Sequence, residues 1–586
     1  MKVELTIYQE GSITKCEAQA GEPVGPLLRE RGLLALPCGI GKCGKCLIYV
    51  DPPCEPCQEE RTLLGERALT EGLRLACYTR AAEGMSIRIP RTAHLRVLMD
   101  FSRSAYEFSP LVKACPIELA EATLEDQTGD LERLMEACGA SEHRLSLRQL
   151  AALPSFLREN GPVTAHLWKD TLVGCGREEK LHALVVDIGT TTVAAMLVDL
   201  KQGRPVAIRG EANAQASYGA DVISRIHQQI QWIEAGQKGD DPLHQAVCAQ
   251  INSLLEALLA EAGLADVDCI AIAGNTTMMH FLCGLPAGNI AFAPFIPVLL
   301  KEQVRPAQEV GIRSAAPVFM LPGISAYIGA DIVGSLLAAD AHHPQPPFLL
   351  LDLGTNAETV LGHGDTLYAC SAAAGPCFEG ATLSCGMAGQ DGAVDTVFKT
   401  ESGELGFSTL GNIPPRGICG SGILDTVALL LDEGLVDETG RLCADDTPIG
   451  RLIRDDALEL APGVKVTQKD IREVQLAKAA VRAGIDILLQ EAELEVNDVA
   501  CLYLAGGFGS ALNTASAARI GLIPQELASR VRVLGNGASS GALRYITEDG
   551  AFERAADLVK RTKYLELSAH SAFSDAYIQQ IMFPES

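Results

Sequence analysis

The sequence predicts a multidomain α/β protein, and three observations carry that expectation. At 586 residues the chain exceeds what one hydrophobic core can organise, so three or four domains are expected. A cysteine-dense N-terminal stretch is built from short alternating runs, the pattern of strands. Further on, one strand–Asp-x-Gly-Thr–strand plan occurs twice, with its aspartates 165 residues apart. The composition agrees with a folded chain: 47% of residues are apolar and 21% charged, and the 56 glycines suit the tight turns of an α/β protein.

The first domain is expected over residues 1–92. Val3, Leu5 and Ile7 alternate with polar residues, Glu10-Gly11 makes a turn, and a second strand follows to about Ala18. Pro23 opens a short helix with Leu27 and Leu28 inward, stopping near Gly32. LPCGIGKCGKCLIYV then leads into a strand at 47–50, and LRLACYTR and MSIRIP supply two more. Cys38, Cys43 and Cys46 are spaced C-x4-C-x2-C, with Cys77 following after thirty intervening residues, which is the plant-type [2Fe–2S] pattern. Three thiolates must converge on two irons inside one loop, so Gly39, Gly41 and Gly44 are needed to let the backbone wrap the cluster. Lys42 and Lys45 offset the negative charge of the thiolates and sulfides. A structural zinc site would pair two short C-x2-C knuckles, which the x4 spacing does not match. Cys54 and Cys57 form a second C-x2-C in a Pro-rich, acidic loop and read as spare thiols rather than a second metal site.

A linker is expected over 93–115, and a small α/β domain over 116–180. The latter has two helical patterns, LEDQTGDLERLMEA and LSLRQLAALPSFLRE, and a strand at 163–168, with no catalytic signature. The remaining 181–586 carries the internal echo. LHALVVDIGTTTVAAMLVDL and FLLLDLGTNAETVLGHG each run an apolar strand into a turn and a second strand. Such turns present backbone N–H groups to phosphate oxygens. Gly189, Thr190 and Thr191 in the first copy, and Gly354, Thr355 and Asn356 in the second, are the candidate phosphate contacts. Asp187 and Asp352 are candidates to hold a hydrated Mg²⁺. CLYLAGGFGSALN runs a strand into Gly506, Gly507 and Gly509, where a nucleoside can lie against bare backbone. GNGASSGALRY starts another helix, and the paired sequences ending at Asp221 and Asp331 strengthen the impression of duplication.

Charge and cysteine usage narrow the partners. The net charge of −26 weighs against nucleic acid and anionic membranes. Residues 1–92 carry 12 basic and 12 acidic side chains, so a neutral module is joined to an acidic body. No run approaches 18 apolar residues, and the start lacks a signal peptide's apolar core. Nineteen cysteines then imply reduced thiols and metal ligands, and a cytoplasmic protein. No P-loop and no dinucleotide fingerprint is present. The eleven histidines show no metal-triad spacing, and His280 reads as a core residue. Cys377, Cys385 and Cys419 read as small buried hydrophobes.

Residues 181 to about 550 resemble the ATPase superfamily of acetate and sugar kinases, Hsp70 and actin (ASKHA), in which two similar lobes clasp ATP. The first 92 residues resemble β-grasp ferredoxins. With AGNTTMMH (273–280), AGPCFEGATLSCGM (374–387) and ICGSGILD (418–425), the whole chain resembles the reductive activators of corrinoid proteins found in anaerobic methyl-transfer and O-demethylation systems. That resemblance implies an ATP-hydrolysing iron–sulfur reductase that passes an electron from a [2Fe–2S] cluster to Co(II), restoring Co(I). It implies Mg²⁺ and ATP as cofactors, a corrinoid protein as partner, a separate electron donor and a homodimer. An activator of a radical dehydratase would carry a [4Fe–4S] cluster shared between subunits, for which this cysteine loop is wrong. A flavin or molybdenum oxidoreductase lacks its fingerprint here, and a non-redox kinase or actin-like protein has no use for the cluster.

Overall fold

In the computed structural model the alternation at the N-terminus becomes a hairpin of β1 (Lys2–Gln9) and β2 (Ser12–Gln19), with Leu5 opposite Cys16. The structure describes residues 2–9, 12–31, 46–52, 54–58, 60–61, 69, 72–88, 108–120, 122–237, 239–341, 346–509 and 511–585. They fall into two compact units: Met1–Leu95 with Thr190–Thr192 and Glu211–Gln250, and Arg96–Gly189 with Val193–Gly210 and Ile251–Ser586.

In the first unit β3 (Leu47–Asp51), β4 (Leu73–Leu75) and β5 (Ser86–Arg88) complete a five-stranded sheet of order β2-β1-β5-β3-β4. The β1–β5 pair is parallel, with Ile7 opposite Ile87. Period two puts Val3, Leu5 and Ile7 into the core, where Val24 and Leu28 of α1 (Val24–Glu30) cover them. The exposed pairs Lys2–Glu17 and Lys15–Glu4 decorate the outer face and add little stability.

The second unit opens with a four-stranded sheet of order β6-β8-β9-β7. Its strands are β6 (Val112–Ile117), β7 (Glu142–His143), β8 (Val163–Trp168) and β9 (Thr171–Gly176). Helices α2 (Asp130–Cys138) and α3 (Leu147–Arg158) bury Leu134 and Leu153 against it. A Ser146–Gln149 capping box starts α3. The segment read as a linker therefore already contributes a strand at Val112, while its residues 93–107 lie outside the described residues. This small sheet is packed onto the body that follows. Trp168 lies 5.4 Å from Phe319 and 5.6 Å from Phe552, and His166 Nδ1 is 3.2 Å from Asp268 Oδ1.

The body repeats one topology. Its first sheet comprises β10 (His182–Ile188), β11 (Thr192–Asp199), β12 (Arg204–Ala212), β13 (Cys269–Gly274), β14 (Gln303–Pro306) and β15 (Pro317–Met320), ordered β12-β11-β10-β13-β15-β14. The second lobe begins with β16 (Phe348–Leu353), β17 (Ala357–His363) and β18 (Thr366–Ala372). Small antiparallel and mixed sheets follow: β19 (Ala393–Lys399), β20 (Leu405–Thr409) and β21 (Gly417–Ile418), then β22 (Ile453–Arg454), β23 (Ala457–Ala461) and β24 (Val464–Thr467). The chain then returns as β25 (Cys501–Ala505), β26 (Val531–Gly535) and β27 (Thr562–Tyr564), giving the order β26-β25-β16-β17-β18-β27. In both sheets the order third–second–first–fourth recurs. The first hairpin is antiparallel, and its leading strand pairs in parallel with the fourth. The near-continuous burial of β10 and β16 is what central strands covered on both faces require.

One helix from each half closes the arrangement: α4 (Ala330–Ala338) follows β15, and α5 (Gly537–Thr547) follows β26. They approach through glycines. A Cβ on Gly541 would lie 1.8 Å from the Gly334 carbonyl oxygen, and one on Gly334 would lie 2.9 Å from that of Ala538. Gly541→Val is therefore expected to cost about 3 kcal/mol of unfolding free energy, the upper range for forcing volume into a packed contact. Urea denaturation measures it, and an unchanged midpoint would show that the helices separate without cost.

Candidate functional site

The duplicated hairpins place their turns alike. Three residues, 189–191, separate β10 from β11, and three, 354–356, separate β16 from β17; these are the six turn residues the sequence singles out. Asp187 and Asp352 each stand one residue before the end of the leading strand, half-buried. Two further carboxylates join them. Asp331 lies in the first turn of α4, its Oδ1 accepting from the Ile332 N–H at 2.9 Å. Glu358 lies directly across the strand pair from Asp352, a register that puts both side chains on one face.

These carboxylates lie close enough to act on one another's charge. Burial, then the neighbouring charge of Asp331, pushes Asp187 up to about 7, while a hydrogen bond from Asn536 opposes the shift. Burial, then Asp331 and Asp187, pushes Asp352 up to about 7, and burial pushes Asp331 to about 6. Burial, followed by Asp331 and Asp352, raises Glu358 well above the usual carboxylate range. Carboxylates crowded in this way are relieved by a cation. Among the described residues no three His, Cys, Asp or Glu side chains are close enough to ligate a metal ion directly.

The turns are held by specific partners. In the second hairpin the Gly354 N–H donates to Asn356 O at 2.9 Å, and Thr355 Oγ1 donates to Glu379 Oε2 at 3.0 Å. In the other unit, the Thr190 carbonyl accepts from the buried Arg225 Nη2 at 2.7 Å, and the Thr191 carbonyl accepts from the Asn213 N–H at 2.8 Å.

The glycine segment after β25 forms a single helical turn, Gly506–Gly509. Gly506 has φ +82°, and a Cβ there would lie 2.4 Å from Asp352 Oδ1, so bare backbone closely approaches the carboxylate. Gly507 is exposed with open space where a side chain would stand, whereas Gly509 packs on Leu504. Between them Phe508 stacks on Phe378 with ring centres 5.2 Å apart. Of the residues chosen from sequence, Asp187, Asp352 and Gly506 are thus drawn together, and Gly509 serves packing. Sequence reasoning did not place Asp331, Glu358, Glu379 or Asn536 at the site. Asp331 was visible only as the end of a repeated sequence. Glu358 follows from counting across a three-residue turn, and Asn536 could have been read as a helix cap. Glu379 had no signal.

In the first unit, Cys46 Sγ and Cys77 Sγ lie 3.2 Å apart. Cys46 is buried immediately before β3, and Cys77 is half-buried in the turn after β4; the Ala76 N–H donates to Cys46 O at 2.8 Å, joining the two segments. Two tetrahedral ligands of one metal ion, each with a bond of about 2.3 Å, sit roughly 3.8 Å apart, so a small separation of this pair admits an iron. Cys38 and Cys43, with the glycines and lysines around them, lie outside the described residues. The Cys54–Cys57 loop is tied to β4 by its backbone. Cys54 O accepts from Arg74 Nε at 2.9 Å, and buried Glu60 accepts from the N–H groups of Cys57 at 3.0 Å and Leu75 at 2.8 Å.

The remaining candidates are structural. His280 is buried; its Nδ1–H donates to Thr276 O at 2.7 Å, and its Nε2 accepts from the Val298 N–H at 2.9 Å. Burial pushes the Cys377 thiol up to about 12, and the buried Cys419 donates to Val394 O at 3.3 Å. No helix among the described residues is long and apolar enough to cross a membrane.

Comparison with known proteins places these features. Residues 347–586 match "C-terminal domain of RACo the ASKHA domain", 182–344 match "RACo middle region", and 102–180 match "RACo linker region". A solved structure, "Reductive activator for corrinoid,iron-sulfur protein", is 30% identical, covers 100% of this chain and 98% of its own, and superposes with a TM-score of 0.71. "Corrinoid activation enzyme RamQ" of Eubacterium limosum is 28% identical over 100% of this chain and 98% of its own length. The "[Co(II) methylated amine-specific corrinoid protein] reductase" of Methanosarcina barkeri is 24% identical over 69% of this chain and 77% of its own.

Proposed function

The chain belongs to the family of reductive activators of corrinoid proteins, and on that premise we propose that it reduces the Co(II) of a corrinoid protein to Co(I) at the expense of ATP. The observation that carries the ATP-dependent part is the crevice where two duplicated hairpins present Asp187 and Asp352, with Asp331 and Glu358 beside them.

Cys38, Cys43, Cys46 and Cys77 of the module over 1–92 would hold a [2Fe–2S] cluster, which supplies a one-electron carrier. Asp187 and Asp352 meet the hydrated Mg²⁺ of the nucleotide. The turns at Gly189, Thr190 and Thr191 and at Gly354, Thr355 and Asn356 receive phosphate oxygens through backbone N–H groups and side-chain donors. Gly506 and Gly507 leave the backbone bare for the nucleoside. The body over 181–586 has no need to touch the electron. It needs two nucleotide-dependent states, one of which favours the partner in the form whose cobalt is more easily reduced. A one-electron step costs about 1.4 kcal/mol per 59 mV, so an uphill gap of roughly 100–200 mV is within reach of differential nucleotide binding. The small sheet of β6–β9 packs against the body through Trp168 and His166.

The test mixes the protein with a low-potential reductant, a purified corrinoid protein in the Co(II) state and Mg·ATP. The Co(II) absorbance should disappear. It should persist with ADP in place of ATP, or when the iron has been removed. Equal reduction without nucleotide would remove ATP from the reaction.

A further inference from the structure

Asn536 stands where β26 gives way to α5, and both ends of its side chain are engaged. Its Oδ1 accepts from the Ser539 N–H at 2.8 Å, capping the helix. Its Nδ2 donates to Asp187 Oδ2 at 3.0 Å. The amide's orientation is fixed by this arrangement, because the backbone N–H must face the oxygen and leaves only the NH₂ to face the carboxylate. The two residues are 349 positions apart, Asp187 in the first hairpin of the body and Asn536 immediately after β26 of the second sheet. The bond therefore crosses between the duplicated halves at the carboxylate crevice. The helix it caps meets α4 in close backbone contact at Gly541 and Gly334. Asp187, crowded by Asp331, gains from Asn536 a fixed neutral donor that favours its charged form without adding a competing cation.

We propose that Asn536 is a positioning residue for Asp187: its amide orients the carboxylate that meets the nucleotide's divalent cation, and makes that orientation depend on where α5 sits. The proposal rests on the ATP reading of the crevice. It predicts that movement of α5 and arrival of Mg·ATP are linked, each altering the other's equilibrium through one hydrogen bond.

The test is a double-mutant cycle in the full chain. Asn536→Ser keeps a helix-capping oxygen but is too short to reach Asp187. Titration with a fluorescent ATP analogue, with Mg²⁺ and again with EDTA, reads nucleotide affinity, and the unfolding midpoint without nucleotide is read in parallel. Asn536→Ser should weaken Mg²⁺-dependent binding about tenfold in the wild-type background and less than about twofold when Asp187→Asn is already present, since residues acting through one bond are not additive. The same factor in both backgrounds would overturn the proposal. Should Asn536→Ser fail to fold, Asn536→Asp preserves cap and size while setting a carboxylate against Asp187. Combined with Asp187→Asn it exchanges donor and acceptor, and the unfolding midpoint should return towards wild type. A combined variant no more stable than the worse single would equally sink the idea. Absence of Mg·ATP binding by the wild-type chain would defeat the ATP reading itself, an outcome distinct from intact binding with additive effects.

Discussion

Asp352→Asn is expected to lower ATP turnover by about two to three orders of magnitude, the usual cost of removing one preorganised electrostatic group from a transition state. Asn keeps the shape of the side chain and removes its charge, so the loss falls on the cation and on developing phosphate charge rather than on packing. Asp187→Asn should act in the same direction. Asp352 is the more consequential position, because Gly506 backbone stands against it and Glu358 faces it across the hairpin. The folded protein provides its own control. Burial raises the Asp352 carboxyl from 3.8 to about 7, so the folded chain holds that proton more tightly than the unfolded chain does. Its contribution to stability is fully present below pH 3.8 and is lost as pH rises towards 7. Without nucleotide, the Asn variant should therefore be at least as stable as the wild type at neutral pH and show a flatter decline between those values. A variant that is stable, binds iron normally and has lost ATP turnover assigns the residue to the site. Unaltered turnover in both variants would remove Asp187 and Asp352 from it.

The crevice was legible in the sequence only where its residues obey a local rule. Asp187 and Asp352 could be read because a local rule, strand then Asp-x-Gly-Thr then strand, was written twice. The recurrence of one strand order in both sheets is the same duplication seen in space. Glu358 was equally local, since a three-residue turn puts the residue six positions after Asp352 opposite it, but the register must be counted to be seen. Asn536 is different in kind. Its helix-capping role is local and its bond to Asp187 spans 349 positions, so no window of the sequence contains the pair. Arg225 is similar: a buried guanidinium on the Thr190 carbonyl looks like an ordinary charged residue of an amphipathic helix until the turn it supports is seen. The strand at Val112 was missed because its pairing partner, β8, comes some fifty residues later. Propensity and periodicity report neighbours along the chain, whereas these features are decided by neighbours across it.

Cys77→Ala should abolish the visible absorption of the purified protein and the EPR signal of its reduced form, with iron falling to background. Cys46→Ala should do the same. The geometry argues for so large an effect from either. The two sulfurs lie 3.2 Å apart on segments joined by the Ala76–Cys46 hydrogen bond, so each is held where the other needs a co-ligand. Loss of one would remove a ligand that the apolar side chains of the same cluster, Leu5, Ile48 and Leu75 among them, cannot replace. Cys54→Ala and Cys57→Ala should leave iron content and spectra intact. That loop is tied to β4 through Arg74 and Glu60 by main-chain groups, which substitution of its side chains does not touch. The sheet itself should survive every one of these changes, because its stability comes from the alternating apolar face rather than from the thiols. ATP turnover should survive too, since Asp187 and Asp352 belong to the other unit. An iron-free variant that still hydrolyses ATP but leaves Co(II) untouched would separate the two halves of the activity. If instead Cys54 and Cys57 prove essential while Cys77 is dispensable, the cluster is held by a different set of thiols, and the C-x4-C-x2-C spacing has been assigned the wrong fourth ligand.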